Sequence, residues 1–311
     1  MMIGLKNIFL FFISCSFTIQ MVAQIPKVSN GKIQRFENFS SKYIVPRNID
    51  VWLPEDYSPS KKYAVLYMHD GGSLYDSTIM WNRQEWGVDE TMGKLISENK
   101  IRECIVVGIW NAAALRHLEY FPQKPFESLA TVQQDSIFKA IRKNGESIFK
   151  TDTLKSDNYL KFLVKELKPF IDSSFSTLKD QSNTFVAGSS MGGLISLYAI
   201  CEYPNVFGGA ACLSTHWPGI FTLEKNPIPA AFMNYIGKHL PSPNTHRIYF
   251  DYGSATLDSM YKPFQQMADS ILKQKGFGPK NWVTKEFPGA DHSEKAWSRR
   301  FYLPVLFLLR H

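Results

Sequence analysis

Short apolar runs alternate with segments of helical periodicity along most of the chain. Six runs have the length and composition of buried strands: 63–69, 104–109, 184–187, 209–213, 247–251 and 282–287. Apolar residues spaced as on one face of a helix lie between them, and the predicted helices are 159–170, 191–201, 263–274 and 294–309. Strands that alternate with helices predict an α/β fold, in which a mostly parallel central sheet has helices on both faces.

Two segments depart from this alternation. Residues 31–45 and 49–53 have the pattern of two strands on either side of Pro46, which predicts an antiparallel N-terminal hairpin. Residues 110–155 have mixed polarity and contain two prolines, Pro122 and Pro125, so we expect a long excursion between a strand and a helix. Excursions of this kind commonly shape substrate pockets.

Residues 1–23 have the composition of a secretory leader. Lys6 is their only charged residue, residues 8–17 are almost wholly apolar, and the small residue Ala23 offers a cleavage site. A helix needs about 20 apolar residues to span a bilayer, so stable membrane insertion is not expected. We expect a signal peptide over 1–23, a single domain over 24–311 and a periplasmic or secreted product; a lipoprotein anchored through Cys15 is the alternative.

Charge and cysteine content exclude several functional classes. The formal net charge is +7, but Lys and Arg are scattered along the chain, which argues against a nucleic-acid partner. Beyond the leader, the cysteines are Cys104, Cys201 and Cys212, an odd number with no CxxC pair. This pattern predicts neither a zinc site nor a disulfide framework, and we expect the three thiols to pack in the core.

The segment Gly-Ser-Ser-Met-Gly at 188–192 fits the pattern G-x-S-x-G, with Ser190 at its centre. In that pattern the serine stands on a tight turn between a strand and a helix, where larger neighbouring side chains would collide. Here an apolar run precedes the motif and a helix-forming stretch follows it. We therefore predict that Ser190 is a nucleophile and that the turn requires Gly188 and Gly192.

A serine nucleophile needs a histidine as base and a carboxylate that orients the histidine. His292 follows the last predicted strand and precedes the terminal helix, where the base is expected, and His216 is its rival. The acid is expected from the loop after strand 247–251. Asp251 and Asp258 are both candidates, and we favour Asp258 because it lies far enough into the loop to reach across to a histidine.

Acyl transfer also needs two backbone N–H groups that bind the oxyanion. Met191, which follows the nucleophile, is expected to supply one of them. The other is expected from the segment His-Asp-Gly-Gly at 69–72, where Gly71 or Gly72 would let the backbone approach the substrate. A simple turn is the alternative interpretation of these two glycines.

Three segments together resemble a known family. Tyr-Met-His-Asp-Gly-Gly at 67–72, Gly-Ser-Ser-Met-Gly-Gly at 188–193 and Asp-His-Ser-Glu-Lys-Ala-Trp at 291–297 are similar to motifs of the putative-esterase (esterase D-like) group of α/β-hydrolases. That group includes feruloyl and acetyl-xylan esterases, S-formylglutathione hydrolases, enterobactin-type siderophore esterases and mycolyl transferases. The resemblance covers about residues 31–310 and implies an α/β-hydrolase domain that uses Ser190 and His292 without a cofactor.

The chain departs from the family at the position of the acid. Members often have Gly-Thr followed by an acidic residue after the seventh strand, whereas this chain has Gly-Ser-Ala-Thr at 253–256. The resemblance therefore assigns no acid at this position, and Asp258 is left as the acid by elimination.

Substrate contacts are expected at the carboxyl ends of the strands, where open α/β sheets bind ligands. The candidates are Asn111, Arg116, His216 and Trp217. Other aromatic residues in these segments are Trp81, Trp86, Trp110 and Tyr120. An aromatic rim would suit a sugar or a phenolic acyl group, and Arg116 would pair with an anionic substrate or with Glu119 at helical spacing.

The sequence as a whole predicts an exported serine esterase that forms an acyl-enzyme. The expected partner is a small-molecule or oligosaccharide ester, namely a feruloyl- or acetyl-type ester of a carbohydrate. A siderophore trilactone esterase is the alternative enzyme. A binding protein that kept the fold without the chemistry is the alternative from another class.

Overall fold

The computed structural model describes residues 24–311, so the predicted leader lies outside the described residues. The strands are β1 Lys32–Phe39, β2 Arg47–Leu53, β3 Ala64–His69, β4 Cys104–Ile109, β5 Thr184–Ser189, β6 Gly209–Leu213, β7 Arg247–Gly253 and β8 Trp282–Phe287. They form one sheet in the order β1-β2-β4-β3-β5-β6-β7-β8. β2 pairs antiparallel with β1 and β4, and the remaining pairs are parallel. The predicted α/β fold with an N-terminal hairpin is confirmed.

The first strand of the hairpin is shorter than predicted. β1 ends at Phe39, and residues 40–46 connect it to β2. The pairing register shifts between Phe36 and Phe39, and Asn38 between them has a φ of 47°. A residue with positive φ departs from the extended conformation, which makes the ladder irregular at the point where the strand ends.

The helices are α1 Val88–Ser97, α2 Arg116–Tyr120, α3 Gln123–Glu127, α4 Thr131–Phe138, α5 Ser156–Phe162, α6 Lys168–Ser174, α7 Met191–Glu202, α8 Ile228–His239, α9 Lys262–Gln274, α10 Glu294–Ser298 and α11 Tyr302–Leu309. The sequence pattern predicted α7 and α9 but missed α1 and α8. The excursion 110–155 contains the short helices α2, α3 and α4. Within residues 24–311, no helix has the length and apolar character needed to cross a membrane.

Two prolines account for the interruption of two predicted helices. The helix predicted over 159–170 consists of α5, a π-helical stretch Leu163–Leu167, and α6. Pro169 lacks an N–H and its ring crowds the preceding turn, and the wider π turn accommodates both defects. The helix predicted over 294–309 is divided into α10 and α11, with Pro304 in the first turn of α11, where an N–H would have no acceptor within the helix.

Helices cover both faces of the sheet, and side chains alternate between two hydrophobic layers. Val65 and Tyr67 of β3 face the layer built mainly from α5 to α9, whereas Leu66 and Met68 face the layer built from α1, α10 and α11. Every residue of β3, β4 and β5 is consequently buried. The thiols of the three described cysteines are free and buried, as predicted: Cys104, Cys201 and Cys212.

The parallel strands bring the predicted site residues to one edge of the sheet, because each residue follows the carboxyl end of a strand. Gly71 follows β3, Ser190 follows β5, His216 follows β6, Asp258 follows β7 and His292 follows β8. Segments far apart in sequence therefore meet at this edge.

Candidate active site

Ser190 stands on the tight turn between β5 and α7. Its φ of 59° and ψ of −123° lie outside the regions that non-glycine residues favour. The Ser190 N–H donates to the Leu213 carbonyl at the end of β6 over 2.9 Å, and the Ser190 carbonyl accepts from the His216 N–H over 3.2 Å. These two bonds hold the strained residue against the neighbouring strand and loop.

Close contacts explain two of the three glycines around Ser190. A Cβ at Gly188 would lie 2.9 Å from the carbonyl group of Gly192, and a Cβ at Gly193 would lie 2.9 Å from Thr215 Oγ1. A Cβ at Gly192 would approach other parts of the chain no closer than 3.5 Å. The turn thus requires Gly188 and Gly193 for steric reasons, whereas the motif pointed to Gly188 and Gly192.

His292 and Asp258 are joined by a hydrogen bond of 2.5 Å between His292 Nδ1 and Asp258 Oδ1. The loops after the paired strands β7 and β8 bring the two residues together. The His292 N–H donates to Thr256 Oγ1 over 2.9 Å, which ties the histidine loop to the aspartate turn. Trp297 and Tyr261 pack edge-on to the imidazole, with ring centroids 5.0 and 5.8 Å away. The ring is therefore held in one orientation.

The other oxygen of Asp258 is bonded on the side away from the histidine. Oδ2 accepts from the Ser214 hydroxyl over 2.5 Å and from the Gly253 N–H over 2.6 Å. Burial alone would raise the pKa of Asp258, but the hydrogen bond and charge of His292, with the bonds from Ser214 and Gly253, hold that pKa below its ordinary value. Asp258 is consequently ionised at neutral pH.

Asp251, the other candidate acid, is buried at the end of β7 and has different partners. Its Oδ1 lies 3.0 Å from Arg300 Nη2, and its Oδ2 accepts from the Tyr249 hydroxyl over 3.2 Å. Burial raises the pKa of Asp251 to about 6, although the Arg300 charge opposes the shift. The carboxylate that reaches His292 is therefore the one on Asp258.

The hydroxyl of Tyr261 lies near Ser190, and sequence reasoning missed this residue. The hydroxyl lies 2.8 Å from His216 Nδ1, and the Ser190 side chain is close enough to lower the pKa of Tyr261. Tyr261 follows Asp258 by three residues at the end of the same turn. Because residues three apart lie on the same side of a helical turn, this spacing was a signal that could have identified Tyr261.

Tyr261 and His216 are both uncharged at neutral pH. Their exposed fractions are 0% and 1%. Burial raises the pKa of Tyr261 well above its ordinary value. Burial also lowers the pKa of His216 well below its ordinary value, and the neighbouring His117, His292 and Arg116 add to this shift. The predicted rival base is thus a neutral histidine whose ring bonds to Tyr261 and whose backbone N–H donates to Ser190.

The two predicted oxyanion segments lie beside the Ser190 turn. Gly71 and Gly72 belong to a short 3-10 turn after β3, and Met191 is the first residue of α7. N–H groups in the first turn of a helix have no acceptor within the helix, so they are available to an anion. A Cβ at Gly192 would lie 3.5 Å from His69 Cβ and Asp70 Oδ2, which shows how closely the two segments approach.

Asn111 and Arg116 bind Asp70, the residue before Gly71. Arg116 Nε and Nη2 donate to the two carboxylate oxygens over 2.7 Å each, and Asn111 Nδ2 donates over 2.7 Å. Burial would raise the pKa of Asp70, but the Arg116 charge and these hydrogen bonds hold it below its ordinary value. Glu119 is paired with Arg47 instead of Arg116. Asn111 and Arg116, which the sequence predicts to bind substrate, thus fix the position of Asp70 and of the loop that continues to Gly71.

Most of the expected aromatic rim is buried. Trp217 is 1% exposed, and its Nε1 donates to Gln265 Oε1 over 3.0 Å, which places it in the core. Trp86 is also buried and packs on Trp297. Trp81 and Trp110 are the exceptions, because 91% of the Trp81 surface is exposed and Trp110 is half-buried.

A cleft of about 460 Å³ lies beside Arg116 and is formed by the excursion 110–155. Its polar lining consists of Arg116, His117, Arg142, Asn144, Glu146, Ser147 and Lys150. Because Arg116 also binds Asp70, the cleft adjoins the loop that carries Gly71 and Gly72. In the described part of the chain, no cluster of three His, Cys, Asp or Glu side chains is placed to hold a metal ion.

Residues 40–302 match the family described as Putative esterase. The chain belongs to the Putative esterase family. Among curated relatives, an endo-1,4-beta-xylanase/feruloyl esterase of Xylanibacter ruminicola is 26% identical over 198 residues, which are 60% of this chain and 22% of that longer protein.

Solved structures of two esterases share the fold of this family member. A ferulic acid esterase of the fungus Anaeromyces mucronatus has a TM-score of 0.61 at 20% identity and covers 91% of this chain and 92% of its own. The enterobactin esterase of Shigella flexneri has a TM-score of 0.63 at 14% identity and covers 92% of this chain and 60% of its own. At these identities the likeness establishes the fold alone.

Proposed function

We propose that this member of the esterase family is a serine carboxylic-ester hydrolase with Ser190, His292 and Asp258 as its catalytic residues. The observation that carries the proposal is the 2.5 Å bond between His292 and buried Asp258, beside a serine held at a φ of 59° between a strand and a helix. Strained backbone and an oriented, buried carboxylate–histidine pair are features that cluster at catalytic sites.

In the proposed acylation step, Ser190 Oγ attacks the ester carbonyl carbon and its proton passes to His292 Nε2. Asp258 accepts from His292 Nδ1–H, which directs the Nε2 lone pair outward and stabilises the imidazolium. The carbonyl oxygen, now negatively charged, accepts from the N–H groups of Met191 and of Gly71 or Gly72. His292 then protonates the leaving alcohol oxygen, and the acyl group remains on Ser190.

Deacylation repeats these steps with water as the nucleophile. His292 Nε2 takes a proton from water while the water oxygen bonds to the acyl carbon. The carbon–Oγ bond breaks, its electron pair returns to Ser190 Oγ, and the proton on His292 moves to that oxygen. The free acid leaves and the resting enzyme is restored.

As substrate we propose an acyl ester of a carbohydrate, of feruloyl or acetyl type. The cleft beside Arg116 supports this choice, because its polar lining suits a hydroxyl-rich sugar better than an alkyl chain. The Xylanibacter relative, an endo-1,4-beta-xylanase/feruloyl esterase, points the same way. Likeness to the enterobactin esterase supports a trilactone as the second candidate.

Covalent labelling with a fluorophosphonate tests the chemistry. Wild type should label, Ser190→Ala should not, and Ser189→Ala should label as wild type does. Ser189 is a suitable control because it is the adjacent, buried last residue of β5. If wild type labels no better than Ser190→Ala, the chain is a non-catalytic relative and the proposal is wrong.

A substrate screen tests the specificity. Purified protein should release the acid from feruloylated and acetylated sugars faster than it opens a trilactone. Turnover of the trilactone alone would replace the carbohydrate proposal with the siderophore one.

We also propose that residues 1–23 direct export and are removed, which gives a secreted or periplasmic protein. N-terminal sequencing of the protein recovered outside the cytoplasm should begin at Gln24. A product that begins at Cys15 and carries a lipid would establish the lipoprotein alternative instead.

A further inference from the structure

We propose that Tyr261 is a further catalytic residue and that His216 positions it. In this proposal, which rests on the proposed function, the Tyr261 hydroxyl donates a hydrogen bond to Ser190 Oγ and stabilises the negative charge on that atom as the acyl-enzyme forms and breaks down. Neither the serine motif nor the carboxylate–histidine pair requires a tyrosine, so the role is additional to the proposed triad.

Placement is the first argument. Tyr261 is buried, and its ring packs edge-on to His292 with centroids 5.8 Å apart. Its hydroxyl bonds to His216, whose backbone N–H donates to the Ser190 carbonyl, and the Ser190 side chain is close enough to lower the pKa of Tyr261. Tyr261 thus lies beside both the proposed nucleophile and the proposed base. A hydroxyl in this position can follow Ser190 Oγ through both steps of the reaction.

The second argument is that the hydroxyl keeps its proton. Burial raises the pKa of Tyr261 well above its ordinary value, so the group acts as a donor and does not compete with His292 for the serine proton. In acylation the Ser190 proton passes to His292 while Tyr261 retains its own. In deacylation the electron pair of the breaking bond returns to Oγ, which accepts from Tyr261 until His292 protonates it.

His216 supplies the orientation. Its Nδ1 lies 2.8 Å from the Tyr261 hydroxyl, and its backbone N–H donates to the Ser190 carbonyl over 3.2 Å. When the neutral His216 ring carries its proton on Nδ1, that N–H donates a hydrogen bond to the Tyr261 oxygen. The Tyr261 O–H is then free to donate to Ser190 Oγ.

Tyr261→Phe removes the hydroxyl and keeps the ring, and it is the direct test. We expect kcat to fall about 100-fold with KM changed little, and the rate of fluorophosphonate labelling to fall in parallel because labelling also uses Ser190 Oγ. Tyr63→Phe is the matched control: Tyr63 is equally buried, and its hydroxyl accepts from the Ser58 N–H remote from the site. The control should keep full activity.

His216 is tested with a conservative and a disruptive variant. His216→Asn can place a polar atom near the position of Nδ1 and should retain more activity than His216→Leu. In the Tyr261→Phe background, His216→Leu should cause no further loss of kcat, because His216 acts through Tyr261. A merely structural role would give additive losses and no rescue by asparagine.

The outcomes separate this inference from the proposed function. If wild type shows no Ser190-dependent labelling, the proposed function is wrong. If wild type is active and folded Tyr261→Phe has a kcat within about threefold of it, the tyrosine proposal alone is wrong. Thermal unfolding of each variant shows whether a low rate reflects loss of the fold.

Discussion

Ser214 donates a 2.5 Å hydrogen bond to Oδ2 of Asp258, the carboxylate oxygen that His292 does not use. The same Ser214 oxygen accepts from Trp297 Nε1 over 3.0 Å and from Arg300 Nη2 over 2.9 Å. All three groups around this hydroxyl are buried. Ser214 therefore links the terminal helical region to the proposed catalytic acid.

Ser214→Ala should lower kcat about 10-fold, because a hydrogen bond to a charged group contributes roughly 1.5–3 kcal/mol and Asp258 loses one. It should also destabilise the fold, since Trp297 and Arg300 each lose a buried acceptor. Steady-state kinetics and thermal unfolding measure the two effects. Ser259→Ala is the control: this exposed serine next to Asp258 bonds only locally, to the Thr256 carbonyl. Equal kinetics of both variants would contradict the assignment.

Asp258→Asn should lower kcat by about 10⁴-fold, because an amide at this position does not stabilise the imidazolium and favours the wrong tautomer of His292. Asp251→Asn should leave kcat within about tenfold of wild type, since the partners of Asp251 are Arg300 and Tyr249. Asp251 lies in β7 and Asp258 in the turn that follows it, and both are buried, so each variant controls for the other. The reverse order of rates would assign the acid role to Asp251.

Sequence patterns predicted those parts of the site that depend on local structure. Ser190 is recognisable because a strand, a tight turn and a helix leave a contiguous motif, and His292 because it follows the last strand. The pairing of Arg116 with Asp70 joins residues 46 positions apart, and no local spacing encodes it. The pattern also could not show that Trp217 is buried, because its burial depends on α8 and α9, which pack against each other.

Asp251 should give the fold a distinctive dependence on pH. Its pKa is raised from 3.8 to about 6 by burial, so between these values the folded state binds more protons than the unfolded state does. This group's contribution to stability therefore falls as pH rises through that window. Asp258, with its lowered pKa, has the opposite sign: its contribution is present above its ordinary pKa and is lost as pH falls through the folded value.

Urea unfolding of wild type and Asp251→Asn at a series of pH values measures this effect. The stability of wild type relative to the variant should decrease from about pH 4 to about pH 6 and stay constant above that. A difference that does not change with pH would show that Asp251 has no raised pKa in the folded state.

The glycines around Ser190 should differ in their tolerance of alanine. Gly188→Ala and Gly193→Ala each place a Cβ 2.9 Å from another group, Gly192 in one case and Thr215 in the other. Both should lower the melting temperature and the labelling of Ser190, because relieving the contact displaces the strained turn.

Gly192→Ala should be tolerated. Its added Cβ would lie 3.5 Å from its nearest neighbours in other parts of the chain, and the residue is in the first turn of α7, where alanine is a better helix former than glycine. It should therefore fold with a melting temperature equal to or above that of wild type. A melting temperature as low as that of Gly193→Ala would show that the serine motif, and not the close approach of a Cβ, identifies the required glycines.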